Sequence, residues 1–327
     1  MLCQKRRDNR KSGGYFEEDL MGNKKFINWF ILIVLTFIWG SSFILMKKGV
    51  RVFTGDQVGA LRVFIAFLAL SPLMFKYVNK PMAKHWKAFL GMGLFGSLIP
   101  GLLFAYAQKG ISSSLTSMIN SLTPLFTLLI TLLFFKEKIR MLNAVGLLIG
   151  LLGTIGLLMV NNNAGANNDL SFVLFALLGT VCNGVTANII KNYLGAVNSV
   201  ACTVWAMMLV GPISGAYLFL NTDFIHQLNT APLAWESVGY ISILGVLGTS
   251  LSIILFNILI KNTSSIFGAS VTYLIPIVAI MWGVLDGENV LPMHIVCALI
   301  ILTGVYLVNK KPTVEEAIIT GQTKEPQ

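Results

Sequence analysis

Thr116, Asn120, Thr123 and Thr127 follow one another at steps of 4, 3 and 4 within the stretch "TSMINSLTPLFTLL". Such steps return to one face of an α-helix, so an amide and three hydroxyls form a single polar stripe. The surrounding run, 111–135, carries no charge. Polar groups at membrane depth are costly and turn toward the bundle interior or a wet cavity. The chemistry on offer is hydrogen bonding, either to a polar solute or to neighbouring helices, which membrane bundles hold together in the same way. Pro124 lies within the stripe. It removes one backbone donor and frees a carbonyl, which neighbouring helices or water must satisfy.

Other segments offer partners. Thr272, Tyr273 and Pro276 stand at equivalent depth in "GASVTYLIPIVAI". Asn183 and Thr186 share a helix face, and Trp39 and Ser42 are their counterparts in the first apolar segment. Asn188 lies about 140° round from Asn183 on a helix, so only one of them can face a common centre; Asn183 is favoured. Asn257, Tyr106 and Gln108 are weaker candidates. Arg62 sits about six residues into its apolar segment, as the helical rise places it. It could attract a carboxylate, but snorkelling to the interface is the plainer reading. The expected substrate-binding set is Trp39, Ser42, Thr116, Asn120, Thr123, Asn183, Thr186, Asn257 and Tyr273, with Pro124 and Pro276 as hinges.

Enzyme chemistry finds no footing. Asp56, Glu137, Asp169, Asp223, Glu236, Asp286 and Glu288 fall at segment ends or in loops, and no two of His85, His226 and His294 share a segment. Cys3, Cys182, Cys202 and Cys297 have neither metal nor disulfide spacing. A P-loop is absent. No metal, cofactor or catalytic residue is expected. Without a mid-depth carboxylate, facilitated movement stands beside proton coupling as an energy source.

The elements that hold these residues follow from composition. Of 327 residues, 55% are hydrophobic and 12% charged, against about 25% charged in soluble domains. The chain is therefore expected to be an all-α polytopic membrane protein. A helix needs about 20 apolar residues to cross the hydrocarbon. Ten segments qualify, at 27–47, 56–76, 86–106, 111–135, 141–160, 170–190, 200–220, 235–258, 264–285 and 291–308. Residues 1–26 and 311–327 read as irregular cytoplasmic tails, and 161–169 as a linker. With the amino terminus inside, Lys and Arg divide 19 inside to 4 outside, with Arg62 in a span. That bias places both termini in the cytoplasm. It also accounts for the net charge of +10 without nucleic acid, and adds attraction to anionic membrane lipids.

A repeat divides the chain. Displaced by 152 residues, 93–124 matches 245–276 at nine of 32 positions without a gap, including Gly93/Gly245, Gly96/Gly248, Phe104/Phe256, Lys109/Lys261 and Pro124/Pro276. Apolar composition alone would not align glycines, a lysine and a proline in register. "WGSSFILMK" (39–47) lies on "NGVTANIIK" (183–191) at an offset of 144. Two repeats, 27–160 and 170–310, follow. Each has five helices, an odd number, so the second is inverted in the membrane. Inverted repeats meeting at the midplane are a transporter architecture. Gly146 and Gly150 form a GxxxG that could join two copies in a homodimer, although helix packing within the chain is the plainer role.

"WGSSF" in the first helix, the Arg in "ALRVFIAFLAL" and the tail "SLTPLFTLLITLLFFKEKI" resemble the EamA branch of the drug/metabolite transporter superfamily, over about 27–310. The second half departs from the pattern, with Asn183 where a Trp is usual. The resemblance implies a bacterial inner-membrane carrier, an exporter or facilitator of small metabolites, amino acids among them. A lipid or polyprenyl-carrier flippase is the alternative reading, and an intramembrane enzyme a more remote one.

Overall fold

A computed structural model describes residues 2–77, 84–135, 141–163, 170–262 and 271–309. Every element among them is helical: α1 (Leu2–Gly49), α2 (Gly55–Tyr77), α3 (Trp86–Ala107), α4 (Ser113–Asn120), α5 (Thr123–Phe135), α6 (Met141–Asn163), α7 (Leu170–Tyr193), α8 (Ser199–Leu220), α9 (Phe224–Thr230), α10 (Ala234–Ile260), α11 (Val271–Leu285) and α12 (Pro292–Asn309). Seven stretches among the described residues are long and apolar enough to cross a membrane: Phe26–Gly49, α2, α3, Ser113–Phe134, α7, α8 and α10. The apolar stretches of α11 and α12 are shorter. The start of the ninth expected span, the carboxy-terminal tail 311–327 and Glu137 lie outside the described residues. Large apolar side chains point outward on many helices, among them Phe37, Phe75, Leu152, Leu220 and Trp235. An outer surface of this kind suits lipid.

Two expectations need correction. The leader before the first span is not irregular, because α1 begins at Leu2. Residues 2–12 contain neither proline nor glycine, so nothing there opposes continuing the helix. The fourth span is not one helix. It starts at Ser113 and breaks at 121–122 between α4 and α5. Pro124 is then the second residue of α5, where its missing N–H costs nothing. Pro276, by contrast, stands inside α11 with helix on both sides. The two prolines, paired in sequence, occupy different local settings.

The helices pair in a regular way. α2 lies on α8, and α6 on α12. α1 packs on α10 and α11, while α7 packs on α3 and on α4 and α5. α2 touches α3 and α10, and α8 touches the same two. Exchange α1, α2, α3, the α4–α5 pair and α6 for α7, α8, α10, α11 and α12, and each of these pairings maps onto another or onto itself. Local irregularities follow the same rule. α3 widens to a π-helix over Leu94–Leu98, and α10 over Leu244–Leu251, which the 152-residue displacement superposes.

Small residues set the close approaches. Gly211 and Gly215 of α8 receive the rings of Phe67 and Phe64 of α2. Gly40 faces Val278, and its counterpart Gly184 faces Phe126 and Thr127. A Cβ built on Gly304 of α12 would stand 2.6 Å from the Gly146 carbonyl oxygen and 2.9 Å from the Gly150 Cα. The GxxxG of α6 is thus spent on α12 within the chain and is not free to join two copies.

Candidate functional site

At the centre of the bundle lies a cavity of about 150 Å³, bounded by α1, α2, α3, α4, α5, α7, α10 and α11. Its polar wall is built at the break in the fourth span. Pro124 leaves the Asn120 carbonyl without an amide partner, and the Thr123 hydroxyl donates to that oxygen at 2.7 Å. The Asn183 amide (Nδ2) donates to Asn120 Oδ1 at 2.9 Å, joining α7 to α4. Below them Asn188 Nδ2 donates to the Thr127 carbonyl at 3.0 Å, and the Thr131 hydroxyl donates to Asn188 Oδ1 at 2.7 Å. Three of the four stripe residues, Asn120, Thr123 and Thr127, line the cavity, and from Thr127 onward the same face bonds to α7 through Asn188.

Thr123 holds the break together by one hydroxyl. Thr123→Val keeps the shape and leaves the Asn120 carbonyl unsatisfied, which is expected to cost about 1–3 kcal/mol. Thr123→Ser should restore most of it. Thermal unfolding of the purified variants in detergent measures the difference, and equal melting of wild type and the Val variant would refute this role.

The expected site residues separate into two groups. Trp39, Ser42, Asn120, Thr123, Asn183 and Thr186 all line the cavity. The Trp39 ring lies 5.0 Å from that of Phe256, tilted at 60°, and directs its Nε1 to the Gly248 carbonyl at 3.3 Å. Thr116, Asn257 and Tyr273 are not part of the lining. Thr116 is buried one turn from the start of α4, where its hydroxyl donates back to the Ser112 carbonyl. Asn257 is buried in the seam with α8 and donates to Thr203 at 3.1 Å. Tyr273 packs against the core beside α11. The neighbouring Thr272 lines the cavity instead.

Among the lining residues outside the sequence selection are Phe43, Phe104 and Phe256, which give the walls their aromatic surface, and Arg62. The repeat carried the signal for two of them, since Phe104 and Phe256 are a matched pair. Arg62 does not snorkel. Its Nε donates across to the Thr249 hydroxyl at 3.2 Å, and its guanidinium lies along Gly101.

Sixteen lining residues fall into eight repeat pairs. At the 144 offset these are Trp39/Asn183, Ser42/Thr186, Phe43/Ala187 and Met46/Ile190; at 152, Gly96/Gly248, Phe104/Phe256, Asn120/Thr272 and Thr123/Ile275. Contacts repeat as well as residues. A Cβ on Gly96 would meet the Thr186 side chain, and a Cβ on Gly248 the Ser42 hydroxyl.

Beyond the cavity, where α1 ends, α4 and α11 are tied to it by charge. Glu288 accepts Lys47 Nζ at 2.7 Å, the amides of Ser113 and Ser114 at 2.8 and 3.1 Å, and both their hydroxyls at 2.7 and 2.6 Å. Ser112 Oγ takes the Leu115 amide, so the open amides of the first three residues of α4 are all satisfied, and the ordinary helical bonds begin with Thr116 to the Ser112 carbonyl. Asp286 adds Arg51 and Lys48 at 2.8 and 3.1 Å. The Glu288 carboxyl is driven up by burial, but donors from Lys47, Ser114 and Ser113 outweigh that and hold it below the ordinary glutamate value. Asp286 is held low in the same way, its burial outweighed by Lys48, Arg51 and Lys47.

A family model described as the EamA-like transporter family matches residues 27–159 and again 170–310. The chain belongs to the EamA-like transporter family. It is a multi-pass membrane protein, and several of its curated relatives are named as transporters. An uncharacterized transporter of Archaeoglobus fulgidus is 25% identical over 86% of this chain and 99% of its own length. The uncharacterized inner membrane transporter YedA of Escherichia coli K12 is 25% identical over 88% of this chain and 94% of its own. A WAT1-related chloroplastic protein of Arabidopsis thaliana is 24% identical over 88% of this chain and 70% of its own. One crystal structure, 16% identical, superposes with a TM-score of 0.55 over 88% of this chain and 97% of that one, a likeness of fold.

Proposed function

We propose that this transporter is a secondary carrier that moves a small metabolite, an amino acid being one candidate, by alternating access across a bacterial inner membrane. It acts as an exporter or facilitator. Ten spans form two inverted five-helix repeats, and both termini are cytoplasmic. The end of the bundle closed by Glu288 then faces outward. The single observation that carries this reading is the pairing of the cavity lining: eight residue pairs, one from each repeat, surround one space. A site shared by two inverted halves can be offered to either side by rocking one half against the other. The charge bias supports the orientation, and the inner-membrane name of the YedA relative supports the location.

The reading is tested with the full chain in proteoliposomes loaded in turn with a panel of amino acids, organic acids and amines. Saturable counterflow of at least one compound, absent from empty vesicles, is expected. Scrambling of a labelled lipid without counterflow of any solute would replace the carrier with a flippase.

A further inference from the structure

The lining is nearly symmetric in shape and asymmetric in charge. Among the described residues Arg62 is its one ionised side chain, and no Asp or Glu joins it there. The geometry identifies what stands in its place in the other repeat. A Cβ built on Gly245 would lie 2.9 Å from the Arg62 carbonyl oxygen, and one built on the matched Gly93 would lie 2.9 Å from that of Ala206. Arg62 of α2 and Ala206 of α8 are therefore counterparts, 144 residues apart like the α1-to-α7 pairs. Both contacts are made by backbone. The fold accepts alanine at this place in one half, so packing does not require the guanidinium in the other.

The guanidinium is also incompletely used. Nε is bonded to Thr249, while neither terminal nitrogen has a partner among the described residues. Gly101 leaves the group room to lie flat, with a built Cβ at 3.6–3.7 Å from it. Arginine keeps its charge in proteins and presents a planar fork that matches a carboxylate bidentately. An unpaired charge removed from bulk water is costly, and an anion in the cavity relieves that cost. The lining is otherwise rich in aromatic surface, with Trp39, Phe43, Phe104 and Phe256.

We propose that the cavity selects small organic carboxylates with an apolar body, Arg62 taking the carboxylate and the aromatic walls the remainder. A cationic amine would find repulsion at Arg62 and no acid to compensate. The proposal rests on the cavity being the transport site of the carrier described above.

Three probes of matched size test it: 3-phenylpropanoate, 3-phenylpropanamide and 2-phenylethylammonium. Binding to the full chain in detergent is measured by calorimetry for wild type, Arg62→Gln and Arg62→Lys, each checked for monodispersity and melting. Wild type should prefer the carboxylate by about tenfold or more, the order expected of one charge-assisted pair. Arg62→Gln should bind carboxylate and amide alike, and Arg62→Lys should keep part of the preference. Undiminished preference in Arg62→Gln, stronger wild-type binding of the amine, or no binding of any probe overturns the assignment. Arg62-dependent binding without flux in proteoliposomes would keep it and overturn the carrier. Counterflow of the amide or amine indifferent to Arg62 would do the reverse.

Discussion

Glu288→Ala is expected to open the end of the bundle that this side chain closes. The carboxylate is 3% exposed and accepts five donors. Its loss strands two amides and two hydroxyls at the start of α4 and leaves Lys47 without its shortest bond. Removing one partner of a buried pair costs about 3–5 kcal/mol. Asp286 cannot replace it. Arg51, its nearest partner, is 55% exposed, and exposed pairs contribute about 0–1 kcal/mol. The energy is lost only in the closed state, so the variant should shift toward the open one. The readout is reaction of a cysteine at Ser42, with native cysteines replaced, toward a maleimide that cannot cross the membrane. About a hundredfold faster labelling is expected from a shift of some 3 kcal/mol. An unchanged rate together with unchanged melting would sink the idea.

Acidity gives the same closure a pH signature. A carboxyl whose folded pKa is depressed stabilises fully above its unfolded value and loses that contribution as pH falls through the folded one. Glu288 and Asp286 both lie below their ordinary values of 4.5 and 3.8. Labelling of the Ser42→Cys protein, divided at each pH by the rate of a free thiol whose thiolate fraction changes in the same way, should therefore be flat from about pH 5 to 8 and rise only in stronger acid. The closure is not a trigger that neutral-pH protons operate.

How far the sequence reaches is seen residue by residue. Asn120, Thr123 and Asn183 were legible because a polar group in hydrocarbon must face something polar, and helical phase says which groups face together. The same phase misplaced Thr116, since it assumed a helix unbroken through 121–122. The break is a local event that Pro124 permits and the Ser112 and Glu288 capping anchors from the far end. Glu288 lies 175 residues from Ser113, so no local pattern announces it. Depth along the chain put Arg62 near an interface, but depth does not fix direction. That depends on Gly101 of α3 and Thr249 of α10, which only the packing brings alongside. Phe104 and Phe256 were visible as a repeat pair, and the choice of polar types passed over them. The transmembrane character was legible because it is global, resting on composition.

Asn120→Ala and Asn183→Ala should each abolish most transport, and together they should cost little more than either alone. The two amides form one unit. Asn183 Nδ2 donates to Asn120 Oδ1, which also accepts the Thr123 hydroxyl at 3.2 Å. That bond orients the remaining atoms, Asn120 Nδ2 and Asn183 Oδ1. Neither has a partner within the described residues and neither is among the sealed, unsatisfied buried atoms, so a donor and an acceptor are held side by side toward the cavity. Truncating one amide frees the other to rotate, and both presented groups are lost at once. Groups that act as a unit are strongly non-additive. Each single change is expected to lower kcat/KM of the identified substrate by about tenfold to a hundredfold, or about 1.4–2.7 kcal/mol. The double variant should fall within a factor of about three of the more impaired single, an apparent coupling of about 0.7 kcal/mol or more. Melting must be compared alongside, because a purely structural bridge between α4 and α7 would lower stability and leave kcat/KM of the surviving folded protein intact. Wild-type kinetics in both single variants would remove this pair from the transport pathway.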